Sequence, residues 1–201
     1  CRRIFSYRTF TIFSLQKHIF IIEHLEPELW PWSIIEYQHI SKIVNKNNLW
    51  FANIKNKDIE KLKKYGRVFT ESIKDFNLKN ACVLDPESSI ILTPKEIKQF
   101  KYLILGGILG DNPPKKRTNE ELTKFLSSIP SFNIGKEQMS TDNAVYVVNQ
   151  IIKGKSLSNV KFKDNIEIKI NNVETTILPY RYALVKGKPL ISKKLIRYLK
   201  K

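Results

Sequence analysis

The sequence predicts an α/β fold: an open, mostly parallel β-sheet with helices on both faces, followed by a C-terminal β-hairpin. Three features predict it. Short, continuous apolar runs of strand length alternate with segments of helical period, the pattern of buried parallel strands joined by crossover helices. Capping residues stand where those helices should begin. Acidic and glycine-rich stretches fall at the ends of the apolar runs, where ligands sit in open α/β sheets.

His18 to Glu23 is the first run, read as a buried strand. Ser33-Ile-Ile-Glu36 has the form of a capping box, and Ile34, Tyr37, Ile40, Ile43 and Val44 follow at helical spacing, so a helix is expected to about Asn45. Leu49 to Ile54 is the second strand. Asp58 to Lys64 reads as a short charged helix stopped by Gly66, and Glu71 to Asp75 as a further turn. Ala81 to Leu84 is the third strand, ending at Asp85-Pro86. Thr93-Pro-Lys-Glu96 caps a small helix to Gln99, with proline at the first helical position. Tyr102 to Leu105 is the fourth strand.

Gly106, Gly107 and Gly110 follow directly. They permit positive φ and leave the backbone bare for a ligand to approach. Asp111 comes next, then Pro113-Pro114 as a rigid exit. Thr118-Asn-Glu-Glu121 is a third pattern of this kind, a capping box opening a helix over Asn119 to Ser127. A short strand is expected near Phe132 to Ile134. A helix capped by Ser140, Thr141 or Asp142 then carries Val145, Val148, Ile151 and Ile152 on one side. Lys161 to Ile170 alternates apolar and polar residues, and Val173 to Leu178 answers it across Asn171-Asn172 as a hairpin. Leu190 to Lys200 closes the chain as a basic amphipathic helix.

The glycine stretch matches neither G-x-G-x-x-G nor G-x-x-x-x-G-K-[ST], and an acid beside a bare loop disfavours polyphosphate. It suits a ligand that carries positive charge, and the sulfonium of S-adenosylmethionine has that property. A plain turn is the alternative.

Composition sets outer bounds. The chain has 201 residues, 42% of them hydrophobic, and no apolar run approaches the length of a membrane span. Two cysteines, Cys1 and Cys82, exclude a disulfide framework or a cysteine zinc cluster, so no metal is expected and a reducing, cytoplasmic setting is. Net charge is +16, the usual sign of a nucleic-acid or ribosomal partner. Only seven of the 35 basic residues are arginine, however, and asparagine and isoleucine abound, as an AT-rich genome writes everywhere. Both readings stand. Residues 1–17 carry Arg2, Arg3, Arg8 and Lys17 and no acid, the look of a transit peptide. A misplaced start or a fragment boundary is the expectation instead, with residues 18–201 forming one domain.

Several linked motifs resemble one known family. Ile21-Ile-Glu-His-Leu-Glu-Pro27, Trp32-Ser-Ile-Ile-Glu-Tyr37, Val83-Leu-Asp-Pro86, Gly106-Gly-Ile-Leu-Gly-Asp111 with its Pro-Pro and Arg117-Thr118, and Ile134-Gly-Lys-Glu-Gln-Met-Ser-Thr-Asp-Asn-Ala144 occur in order. Together they resemble the SPOUT superfamily of methyltransferases, in the branch that contains a protein-arginine methyltransferase of a small-subunit ribosomal protein. The resemblance covers roughly Ile19 to the C-terminus. It implies a C-terminal trefoil knot, which general connection rules would not predict, S-adenosylmethionine as cofactor, and action without the usual dimer.

The resemblance also implies a cofactor-binding set of Leu105, Gly106, Gly107, Leu109, Gly110, Ile134, Gly135, Gln138, Met139 and Ala144, with Leu84 and Asp85 as further pocket wall. For an arginine acceptor the site needs acids to orient the guanidinium and take its proton. Asp111, Glu23 and Glu36 are the candidates. Glu23 could instead pair at a strand end, and Glu36 could serve only as a cap. His24, Trp32 and Arg117 are candidates for holding the substrate; a packed histidine, a packed aromatic and a solvated cation are the plainer roles. Three functions follow: methylation of a ribosomal-protein arginine, which is favoured; methylation of ribosome-related or transfer RNA; and a non-catalytic ribosome-binding module.

Overall fold

The computed structural model describes residues 17–201, so the N-terminal extension lies, save its last residue, outside the described residues. The elements are β1 (Ile19–His24), α1 (Pro31–Val44), β2 (Leu49–Ala52), α2 (Ile59–Leu62), β3 (Arg67–Val68), β4 (Ala81–Leu84), β5 (Tyr102–Gly107), α3 (Arg117–Glu121), β6 (Ser131–Phe132), α4 (Thr141–Ile152), β7 (Phe162–Lys169), β8 (Thr175–Val185), β9 (Lys188–Pro189) and α5 (Lys193–Leu199). Strands β1 to β6 form one sheet in the order β3-β2-β1-β5-β4-β6. Every pairing in it is parallel. The order reverses between β1 and β5, so the carboxyl ends of these two strands open the crevice where ligands bind in such sheets.

Alternation along the strands divides the core. Phe20 and Ile22 of β1, Leu103 and Leu105 of β5, and Cys82 and Leu84 of β4 face one side. Tyr37 and Ile40 of α1 and Val145, Val148 and Ile151 of α4 cover them. Ile19, Ile21, Val83 and Ile104 face the other side, beneath Ile73, Leu122 and Leu126. Among the described residues, that side is covered by short 3₁₀ turns at Ile73–Asp75 and Thr123–Phe125, by α3 and by loop residues such as Leu25, Leu78 and Ile129. Both edge strands have two residues, which leaves little unpaired backbone for another chain to join.

Several local expectations are corrected. Helix α1 starts at Pro31 with proline in its first turn and no side-chain cap, so Ser33 and Glu36 lie inside it and both are buried. The Thr118–Glu121 pattern forms no capping box either: α3 begins at Arg117 and Glu121 turns back to pair with that residue. At Thr93 the reciprocal pattern is present, with the Thr93 N–H donating to Glu96 Oε2 at 2.9 Å and the Glu96 N–H to Thr93 Oγ1 at 3.3 Å. The glycine expectation changes most. None of Gly106, Gly107 and Gly110 has positive φ, and β5 runs on through Gly107. A Cβ on Gly107 would sit 2.2 Å from the Tyr37 hydroxyl, so this glycine is required by packing under α1.

The hairpin is larger than its alternation indicates. β7 and β8 pair antiparallel, and β8 continues to Val185 and pairs with β9, giving a three-stranded sheet.

Candidate active site

The loops at the carboxyl ends of β4, β5 and β6 enclose a cavity of about 240 Å³. Leu84, Leu105, Ile108, Ile134, Met139 and Ala144 give it apolar walls. Asp85, Glu87, Asp111 and Glu137 bring carboxylates to it, and Lys115, Lys116 and Lys136 bring ammonium groups. Two of those cations are already paired: Lys115 Nζ lies 3.2 Å from Asp111 Oδ1, and Lys116 Nζ 2.5 Å from Glu87 Oε2.

Of the twelve residues expected to hold the cofactor, ten line this one cavity: Leu84, Asp85, Leu105, Gly106, Gly110, Ile134, Gly135, Gln138, Met139 and Ala144. Gly107 lies under α1 instead, and the Leu109 N–H donates to Glu26 Oε1 at 2.9 Å. Asp85 is buried and holds its own loop: Oδ1 accepts the Glu87 N–H at 2.9 Å and Oδ2 accepts from Asn119 Nδ2 at 3.0 Å.

The three candidate acids separate. Asp111 lines the cavity, and its peptide carbonyl accepts from Gln138 Nε2 at 2.9 Å. Glu23 does not line it. It is buried on the opposite sheet face, where it accepts from the Ser72 hydroxyl at 2.5 Å and the Ile73 N–H at 3.0 Å. Burial raises its carboxyl above the ordinary range. The alternation of β1 explains the difference, since Glu23 shares the parity of Ile19 and Ile21. Glu36 is also absent from the cavity wall. It accepts from Trp32 Nε1 at 2.7 Å, and burial, with the nearby Asp142 charge acting the same way, pushes its carboxyl up to about 8.

The candidate substrate contacts are mostly occupied. Arg117 lines the cavity, but its guanidinium donates to Glu26 Oε1 at 2.7 Å, to Glu121 Oε1 at 2.7 Å and to the Leu25 carbonyl at 3.2 Å. It ties α3 to the loop after β1. His24 is buried, its Nδ1 hydrogen-bonded to the Tyr37 hydroxyl at 2.8 Å, and burial lowers its pKa, which favours the neutral ring. Trp32 packs against the cluster of Ile166, Leu178 and Tyr182 under the small sheet.

Sequence reasoning missed the residues that hold the loops in place. Glu26 accepts from both Leu109 and Arg117, and it stood inside the Ile21–Pro27 motif. Tyr180 had no local signal. It reaches in from β8, and its hydroxyl donates to the Gly110 carbonyl at 3.0 Å. The next residue completes the stitch: the Arg181 N–H donates to the Gln138 carbonyl at 2.8 Å. The Ser-Thr-Asp-Asn stretch is scaffold of the same kind. Asn143 donates to Ser140 Oγ and to the Leu190 carbonyl and accepts from the Ala183 N–H, while Asp142 Oδ2 lies 2.6 Å from His39 Nδ1.

A parallel sheet with a glycine-lined cavity beside its switch point, roofed by loops after β5 and β6, makes a small-molecule site at the carboxyl ends of β4, β5 and β6, where the motifs resembling the SPOUT methyltransferases meet. The chain belongs to the family described as protein arginine N-methyltransferase SFM1-like, which it matches over residues 19–201. It is 36% identical to protein arginine N-methyltransferase SFM1 of Saccharomyces cerevisiae, across 90% of this chain and 94% of that one. Among solved structures, the yeast arginine methyltransferase SFM1 complexed with SAM superposes with a TM-score of 0.83 at 35% identity, covering 91% of this chain and 90% of that one. A dual-specific Trm10 from Thermococcus kodakaraensis shares the fold alone, with a TM-score of 0.56 and 18% identity over 70% of this chain and 95% of that one.

Proposed function

We propose that this chain transfers the methyl group of S-adenosylmethionine to an arginine of a ribosomal protein, as a monomeric cytoplasmic enzyme whose residues 18–201 act as one domain. The observation that carries the reading is convergence. Motifs scattered from Leu84 to Ala144 meet at one cavity, in a chain that aligns over 90% of its length with an arginine methyltransferase solved in complex with SAM.

The cavity fits that cofactor. Leu84, Leu105, Ile134 and Met139 offer apolar surface to an adenine, and the unsubstituted Gly106 and Gly110 allow close approach to backbone. Asp111 sets a negative charge beside a site meant for a sulfonium. Bound S-adenosylmethionine supplies an electrophilic methyl; the protein's part is to hold the acceptor nitrogen about 3–3.5 Å away and free its lone pair. An arginine side chain keeps its proton to above about pH 12, and its planar fork pairs with carboxylates. Asp111 is the acid among the three candidates placed to orient the guanidinium and take the proton released as the carbon–nitrogen bond forms. Glu23 and Glu36 do not line the cavity, which favours a packing role for both. The knotted threading that the motifs imply belongs to the same proposal.

Methylation of RNA is the second reading, favoured by the net charge of +16. The cavity mouth gives it less support, because its lysines alternate with acids and two are paired with them. Transfer of radiolabelled methyl into a ribosomal fraction, split between protease and nuclease, separates the readings. Label released by protease and recovered as methylarginine is expected. Label released by nuclease would replace the acceptor with RNA. No label and no cofactor binding would leave a non-catalytic module.

A further inference from the structure

The sheet face away from α1 and α4 carries a run of four half-buried aromatic rings, three of them packed in part against the core beneath, with cations over Trp50, Phe69 and Tyr102. Tyr102 lies 5.4 Å from Trp50, Trp50 lies 5.1 Å from Phe69, and Phe69 lies 5.2 Å from Phe76, centroid to centroid. Arg67 sits over both Phe69, at 4.7 Å, and Trp50, at 5.5 Å. Lys101 lies 5.0 Å from the centre of Tyr102. Two residues before Phe76, Lys74 reaches over Phe125 at 4.3 Å, and Lys124 approaches the same ring at 5.2 Å. Phe125 is 57% exposed, so one face of its ring is open to solvent beside these two lysines.

The run has a direction. Tyr102 is level with Ile19 at the start of β1, whereas Ile73, next to Lys74, binds the carboxylate of Glu23 near its end. Four residues of strand separate these levels, roughly 13 Å. The run therefore climbs from the foot of the sheet toward α3, whose first residue, Arg117, lines the cavity. Exposed charges along it are Arg67, Lys74, Lys79, Lys101 and Lys124 against Glu71 and Asp75, a positive excess.

We propose that this face is a docking surface for single-stranded RNA, separate from the methyl-transfer cavity. Rings of any residue type accept stacked bases, and a guanidinium plane does so as well; lysines along the run meet the phosphates. Neither requires a particular sequence. A ribosomal protein presented next to exposed RNA would be engaged at two points, so that the local concentration of acceptor at the cavity rises. The surface stands on its own observations and does not depend on which acceptor the cavity methylates.

The test uses the whole chain and a fluorescein-labelled, mixed-sequence single-stranded RNA dodecamer, with polyglutamate as competitor. Lys74→Glu with Lys124→Glu, and separately Phe125→Ala, change only exposed side chains. The charge pair is expected to weaken RNA binding at least tenfold and to lower its salt dependence, and the Phe125 variant to weaken it severalfold. Methyl transfer to the isolated acceptor protein should stay unchanged in both, which keeps this outcome distinct from any failure of the cavity. RNA affinity unaltered by either variant overturns the proposal. Polyglutamate displacing RNA at equal charge overturns the assignment to RNA in favour of an acidic protein surface.

Discussion

Glu36 illustrates how a single carboxyl records its surroundings. It is enclosed by α1, Trp32 and the Asp142 end of α4, and its carboxyl titrates near 8 in the fold against about 4.5 when unfolded. Below pH about 4.5 both states are protonated and the shift has no cost. Between 4.5 and 8 the unfolded chain releases a proton that the folded one keeps, so this residue's contribution to stability falls as pH rises through that window. Glu36→Gln keeps the amide in place of the neutral acid and should flatten the decline in melting temperature between pH 5 and 8. The difference between the two melting curves reports Glu36 together with Asp142, whose nearby charge acts on it. A slope unchanged by the substitution would mean that Glu36 is ionised in the fold. From sequence this residue could be read as a cap or as a catalyst, because Ser-x-x-Glu fits a helix start; the proline two residues earlier set the true start and carried Glu36 inside.

At the level of elements, strands were legible because apolar runs of four to six residues bounded by polar loops have few other uses. Helix starts were less so. Of three Ser/Thr-x-x-Glu patterns, one forms the reciprocal pair, and the other two yield to Pro31 and to the Arg117–Glu121 ion pair. The glycine stretch was located correctly, but the positive φ expected of it is absent. Gly107 and Gly110 answer contacts from elements far along the chain, which no local pattern reports. Gly110 is the clearest case, since a Cβ there would lie 2.5 Å from the Tyr180 ring and 2.9 Å from the Gln138 amide. Both groups hold the loop, through the Gly110 and Asp111 carbonyls. Gly110→Ala must therefore push β8 and the Gln138 loop apart, and calorimetry should show S-adenosylmethionine affinity reduced at least tenfold. Unchanged affinity would show that the clamp is dispensable.

For the whole molecule, the adjacent carboxyl ends of β4, β5 and β6 bring ten residues from three loops to one cavity, and the small C-terminal sheet braces two of those loops from outside. The motifs made the cavity legible. The bracing was not, because Glu26, Tyr180 and Arg181 meet the loops only after the chain has folded across sequence separations of 43 to 91 residues. Candidate acids were likewise identified by type and sorted only by the fold: strand alternation turned Glu23 away, helix register buried Glu36, and Asp111 alone reached the cavity. The measurement that tests this most directly is single-turnover methyl transfer by Asp111→Asn, paired with S-adenosylmethionine binding by calorimetry. Binding within about threefold of the parent, with transfer slowed about 100-fold or more, is the predicted result. Transfer at the parent rate would contradict it and remove Asp111 from the chemistry.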